Sequence, residues 1–192
     1  MEHAIFHRPL GAEPPHGYDQ AIFGMGCYWG VERLFWKQNG VWLTEVGFAG
    51  GHAENPTYEQ VCTGQTGHAE VVRVVFDPSM ISYAHLLQLF WDNHDPTQGD
   101  RQGNDIGSQY RSLIMYFSET QRAEAEASRT DYSNRLAVAG FPDITTQIIP
   151  AGRFWLAQEE SHQQYLEKNP NGYCALKGTG VEAALCEPRE AF

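Results

Sequence analysis

The stretch Gly24-Met25-Gly26-Cys27-Tyr28-Trp29-Gly30 constrains the fold most, because it forces a change of backbone periodicity within a few residues. Before it, Ala21, Ile22 and Phe23 make an apolar run that predicts a strand. After it, Val31, Leu34 and Phe35 recur at helical spacing until Asn39-Gly40 stops the pattern. Cys27 is therefore expected where a strand turns into the first turn of a helix, with the glycines letting the backbone turn tightly. There, unpaired backbone N–H groups and the positive end of the helix dipole favour a thiolate over a thiol. Tyr28 and Trp29 put two aromatic faces beside the sulfur, an arrangement suited to a small, partly apolar substrate. Two other readings stand beside this one. A cysteine between a strand and a helix is often a small buried hydrophobe. Gly24-x-Gly26 after a strand, with Glu45 about twenty residues on, also looks like a dinucleotide loop. Against the loop, its third glycine falls one place late at Gly30, and Tyr28 and Trp29 fill the space a pyrophosphate needs.

The strands and helices that follow interleave. Residues 41–48 alternate as a second strand, 57–62 suggest a short helix, and 69–76 form a β-branched run with Glu70 near its start. Tyr83, Leu86, Leu87 and Phe90 share one helical face behind a Ser82 cap. Residues 94–109 are a long polar loop, and such a connection inside a compact domain is usually functional. A strand over 110–117 precedes a helix to about residue 139, opened by a Ser118–Gln121 capping box. A strand over 144–149 and a helix over 157–168 complete the elements. Residues 1–192 read as one domain, with 1–17 an irregular arm and 169–192 a flexible, glycine-rich tail. Short strands joined by long excursions predict an α+β fold: a two-layer α/β sandwich of the ferredoxin-like plait type, with a mixed sheet carrying helices on one face.

Composition narrows the function. Thirteen Lys and Arg against 24 Asp and Glu leave a net charge of −11. With no basic run, nucleic acid and anionic membrane surfaces are not expected partners. The first 17 residues lack an apolar signal-peptide core and no stretch could span a bilayer, so the expected location is cytoplasmic. The cysteines at 27, 62, 174 and 186 form no Cys-x-x-Cys and no metal-type pairing with histidine. In a reducing compartment they are catalytic or inert rather than a disulfide framework, and no zinc site is expected. Three further groups could serve Cys27. A carboxyl on an apolar element, Glu70, can stay protonated and donate a proton; alternatively it is an exposed strand-end glutamate. Tyr58 and Tyr110, in or beside loops, could bond an oxygen, or be core tyrosines. Asp105 is by default a turn residue.

The motifs, taken together, resemble one family. Gly26-Cys27-Tyr28-Trp29-Gly30, Asn55-Pro56-Thr57-Tyr58, Thr66-Gly67-His68-Ala69-Glu70 and His94-Asp95-Pro96-Thr97 look like strings of the A-type peptide-methionine sulfoxide reductases. So do Gly103-Asn104-Asp105-Ile106-Gly107-Ser108-Gln109-Tyr110, His162-Gln163-Gln164-Tyr165-Leu166 and Asn169-Pro170-Asn171-Gly172-Tyr173-Cys174. The matches run in order from about residue 19 to about 180. The resemblance implies that Cys27 attacks the sulfoxide sulfur while Glu70 protonates its oxygen. Tyr58 and Tyr110 would hold that oxygen with support from Asp105, and Tyr28 and Trp29 would cradle the methyl group of the S epimer. Cys27 would become a sulfenic acid, condense with Cys174 and be recycled by thioredoxin, without metal or bound organic cofactor. The substrates implied are free methionine sulfoxide and oxidised proteins or peptides. The tail glycines suit a resolving thiol that must swing to Cys27. A thiol peroxidase or redox sensor using the same cysteine pair is the alternative. Two features depart from the pattern. Tyr28 replaces the usual phenylalanine and adds a hydroxyl, expected at the pocket rim. Cys186 follows Cys174 by twelve residues without the usual short glycine spacer, either a second relay or a free tail thiol. Cys62 reads as inert.

Overall fold

The computed structural model describes residues 1–185. Its centre is a six-stranded sheet built from β1 (Asp19–Met25), β2 (Val41–Ala49), β3 (Ala69–Phe76), β6 (Ser112–Tyr116), β7 (Gln147–Pro150) and β8 (Trp155–Leu156). The order is β7-β6-β1-β3-β2-β8; β6 and β7 run parallel and every other pair antiparallel. The inner strands β6-β1-β3-β2 carry the plait order, and the outer strand β7, parallel to β6, makes the sheet mixed. Fold class and sheet type agree with the sequence reading.

The larger core lies between one sheet face and α1 (Tyr28–Trp36), α3 (Tyr83–Asp92) and α4 (Glu119–Val138). Phe23 on β1 stacks 5.1 Å from Phe35 of α1 and packs 5.5 Å from Phe90 of α3, all three fully buried. Burying such a side chain contributes roughly 1.5–3 kcal/mol each. The opposite face buries a smaller set, including Ile22, Val71 and Leu113, beneath Ile149 and Phe154.

Caps fix most helix starts. Thr57 makes a full capping box with Gln60 at the head of α2 (Tyr58–Cys62), and Ser82 accepts from the His85 N–H. Ser118 caps α4, but the Gln121 side chain accepts from the Phe117 N–H, one residue earlier than a capping box requires.

Other elements differ from expectation. The loop 94–109 contains a small hairpin, β4 (Arg101–Gln102) against β5 (Asp105–Ile106), and a 3-10 turn, Ser108–Tyr110, takes up the residue expected to open β6. The helix expected over 157–168 is reduced to α5 (Tyr165–Lys168). Buried side-chain amides hold the segment before it irregular. Gln163 bonds the Val46 N–H and C=O and the Ala157 C=O. Gln164 sits in the left-handed region at φ 48°, with its N–H and amide both donating to buried Glu32. The 1–17 arm is irregular yet held: His3 is fully buried against Thr44, and Arg73 donates to the Ala12 C=O. In the tail, residues 179–183 are tied to α3 and α4. The Ala183 N–H donates to Asp92, and the Tyr132 hydroxyl to the Val181 C=O.

Candidate active site

The strand-to-helix turn is built as the sequence predicts, with Cys27 at the N-cap of α1. Gly26 has φ +88°, and a Cβ there would come within 2.7 Å of the Gln102 side chain. Only glycine satisfies both demands. Gln102 in turn is buried and bonds the N–H and C=O of Asp95, so the β4–β5 hairpin is pinned on the Cys27 turn. This brings Asp105 to the site. The dinucleotide alternative does not survive: Glu45 is buried and paired with Arg73.

A cavity of about 180 Å³ joins Cys27, Tyr28, Trp29, Tyr58, Glu70, Asp105 and Tyr110. Seven candidate residues from four separate stretches thus meet in one place. Tyr173, which sequence reasoning assigned no role, completes the lining, and its hydroxyl donates to Asp105 Oδ1 at 3.0 Å. The other carboxyl oxygen of Asp105 is buried with no hydrogen-bond partner among the described residues.

Glu70 is 2% exposed on β3, and its Oε2 accepts from the Tyr28 N–H at 3.1 Å. Burial pushes its carboxyl up to about 8, further raised by Asp105 and opposed by the Tyr28 N–H. At neutral pH it carries a proton it can give away. Burial also holds the Tyr58 and Tyr110 phenols above their ordinary range, so both remain hydrogen-bond donors.

Cys27 corrects the sequence reading. Burial and the facing Glu70 push its thiol well up, against the helix-end N–H of Trp29 that pulls it down. The helix end is present, but desolvation outweighs it. The resting sulfur is a thiol.

Tyr28 gives a second correction. Its ring is fully buried, not at the rim, and its hydroxyl lies 2.7 Å from His162 Nδ1. Trp29 stacks on Tyr165 at 3.9 Å, and His162 lies 4.3 Å from the Tyr58 ring, so these rings form one aromatic wall. Burial lowers the His162 pKa, which keeps the imidazole neutral. His162, Tyr165 and Tyr173 lie within the family-like motifs, and that position is the signal in the sequence that marks them. Tyr28→Phe should cost about 1 kcal/mol, or roughly 2–4 °C of melting temperature, by removing a buried hydrogen bond. An unchanged melt would show that the Tyr28–His162 bond adds nothing to stability.

Comparison with known proteins decides the family. Residues 19–189 match the family model described as peptide methionine sulfoxide reductase. A Brucella anthropi protein named peptide methionine sulfoxide reductase MsrA is 58% identical over 183 residues, covering 95% of this chain and 84% of its own. The chain belongs to the peptide methionine sulfoxide reductase family. Methionine sulfoxide reductase A of Corynebacterium diphtheriae superposes with a TM-score of 0.78 at 43% identity, over 96% of this chain and 89% of that one. Mxr1 from Saccharomyces cerevisiae in complex with Trx2 superposes at 0.52 and 22% identity, over 80% and 88%, a likeness of fold alone.

The remaining thiols of this reductase-family chain are placed differently. Cys174 is exposed on the segment lying across α1, while Cys186 lies outside the described residues. Cys62, the last residue of α2, is exposed and lies beside the Tyr58 hydroxyl. Among the described residues, no cluster of three His, Cys, Asp or Glu could hold a metal ion, and no helix is long and apolar enough to cross a membrane.

Proposed function

We propose that this chain reduces the S epimer of methionine sulfoxide, free or in oxidised proteins and peptides, through a two-thiol relay recycled by thioredoxin. The observation that carries the reading is the shared cavity: one sulfur, one protonated buried carboxyl and two phenols inside an aromatic wall. The charge that builds on a sulfoxide oxygen held by Tyr58 and Tyr110 as its sulfur is attacked is neutralised by the Glu70 proton, in step with the attack. Protonation weakens the S–O bond and makes the sulfur electrophilic. The Cys27 sulfur attacks it, its own proton returning to Glu70. The attack joins the two sulfurs; the oxygen then passes to the Cys27 sulfur as the S–S and S–O bonds to the methionine sulfur break. Cys27 becomes a sulfenic acid and methionine leaves, the sum being thiol plus sulfoxide giving sulfenic acid plus thioether. Trp29 and the Tyr28 ring offer the methyl group an apolar surface, and a pocket with chemically different sides favours one epimer. Asp105, through Tyr173, supports the polar side.

Cys174 then condenses with Cys27, releasing water, and a dithiol reductant opens the disulfide. That Mxr1 has been solved with Trx2 bound is in keeping with such a reductant. A reducing compartment supplies it, so the cytoplasm is the proposed location. Cys186 is proposed as a second relay. The peroxidase alternative loses support from the family match and the aromatic wall, since a peroxide has no methyl group to cradle.

Replacing the resolving thiol tests the relay. Cys174→Ser should lose thioredoxin-coupled turnover yet keep turnover with dithiothreitol, because a small thiol can attack the sulfenic acid directly. Parental thioredoxin-coupled turnover by the variant would remove Cys174 from the relay.

A further inference from the structure

The first turn of α1 contains a glycine that the chain reversal does not use. Gly30 is buried within the helix, whereas the left-handed turn is made by Gly26. Glycine inside a helix is less stable than alanine by roughly 0.5–1 kcal/mol. What the position provides is space. A Cβ on residue 30 would sit 2.8 Å from Cys174 Sγ and 3.1 Å from Leu176 Cβ. Both distances are shorter than a carbon atom tolerates without displacing its neighbour. Residue 30 also lies three places after Cys27, and such residues are neighbours on one face of a helix.

We propose that Gly30 is a positioning residue, whose missing side chain lets the Cys174 thiol lie against the first turn of α1 within reach of Cys27. The proposal rests on the assignment of Cys174 as the resolving thiol. In that step the Cys174 sulfur attacks the Cys27 sulfenic sulfur and the S–O bond breaks. The oxygen leaves as water with the thiol and hydroxyl hydrogens; Cys174 is oxidised as the sulfenic sulfur is reduced. A disulfide needs Cα atoms roughly 4.4–6.8 Å apart, so a small lift of the segment is enough to hinder closure. The segment is tethered at both ends, by α5 before it and by the bonds of Val181 and Ala183 to α4 and α3 after it. A methyl group at residue 30 raises the strap where Cys174 and Leu176 cross the helix.

The test is Gly30→Ala in a single turnover with methionine sulfoxide and no reductant, following methionine, free thiols and dimedone-trapped sulfenic acid. Methionine should appear, and the first thiol be lost, at the parental rate, while loss of the second thiol slows by about tenfold to a hundredfold, the scale expected for a misplaced reacting group, and trapped sulfenic acid accumulates. Loss of the second thiol as fast as in the parent overturns the proposal. Failure of the resolving assignment shows differently: the parent itself would then lose only the Cys27 thiol, or Cys174→Ser would still lose a second thiol at the parental rate. Should Gly30→Ala release no methionine, Gly30→Ala/Cys174→Ala decides. Release restored to the level of Cys174→Ala supports a clash with the thiol; continued failure shows that Gly30 serves the helix itself and overturns the proposal.

Discussion

Cys27→Ser should reduce methionine sulfoxide turnover to background with every reductant, while leaving the protein folded. The first half-reaction moves an oxygen onto the residue 27 side chain, and sulfur can hold it as a sulfenic acid. A serine oxygen has no corresponding stable oxidised state, so no second route exists through that position. The fold should not suffer. Cys27 occupies the N-cap of α1 without a side-chain cap bond, and serine is among the preferred capping residues. Unfolding in denaturant should show equal stability or a gain of up to about 1 kcal/mol. Residual thioredoxin-linked turnover would mean that another sulfur receives the oxygen.

Glu70→Gln gives the second large effect. The amide keeps the shape and still accepts from the Tyr28 N–H, but it has no proton to give. The chemical step should slow by about 10²–10⁴-fold, the usual contribution of a general acid, with substrate binding largely retained. In the parent, the same step should weaken as pH rises through about 8, where Glu70 loses its proton. The variant should lack that limb. The stability of the parent must fall with rising pH as well. The folded-state pKa of Glu70 lies above its unfolded value of 4.5, so the folded protein binds more protons between about 4.5 and 8. The parent therefore loses stability as pH rises across that window. Glu32, raised by burial to about 7, adds a loss of the same sign. Buried His3 and His94, lowered to about 3 and about 4, do the reverse and add stability as pH rises toward 6.5. Subtracting parent from variant cancels all three. Glu70→Gln should gain on the parent progressively from pH 5 to 9, ending ahead by a few kcal/mol on the order of magnitude. A pH-independent rate and a constant stability difference would together show that Glu70 is already ionised in the folded protein.

Features with local causes were the most legible from the sequence. The β-branched run at 69–76 became β3 with those bounds, because a strand buried on both faces reads as continuous apolar sequence. Ser82 caps α3 as expected, since capping is decided within three residues. The cavity residues were identified largely by motif, because spacing alone does not say which loops converge. Distant contacts decided the rest. The segment 157–164 was expected to be helical, but Gln163 and Gln164 bond residues more than a hundred positions away, and those bonds hold the chain irregular. Cys27 was expected as a thiolate from its helix end; burial and Glu70, which come from tertiary structure, reversed the sign. Tyr28 was expected at the rim, and the partner that lets its hydroxyl be buried, His162, lies 134 positions along the chain.

The most direct test of the whole account is a single turnover without reductant, mixing the pure protein with each epimer of an N-blocked methionine sulfoxide and counting methionine and free thiols. The account predicts about one methionine per chain from the S epimer alone, with two thiols lost as Cys27 and Cys174 pair. No methionine from either epimer, or equal amounts from both, would contradict it.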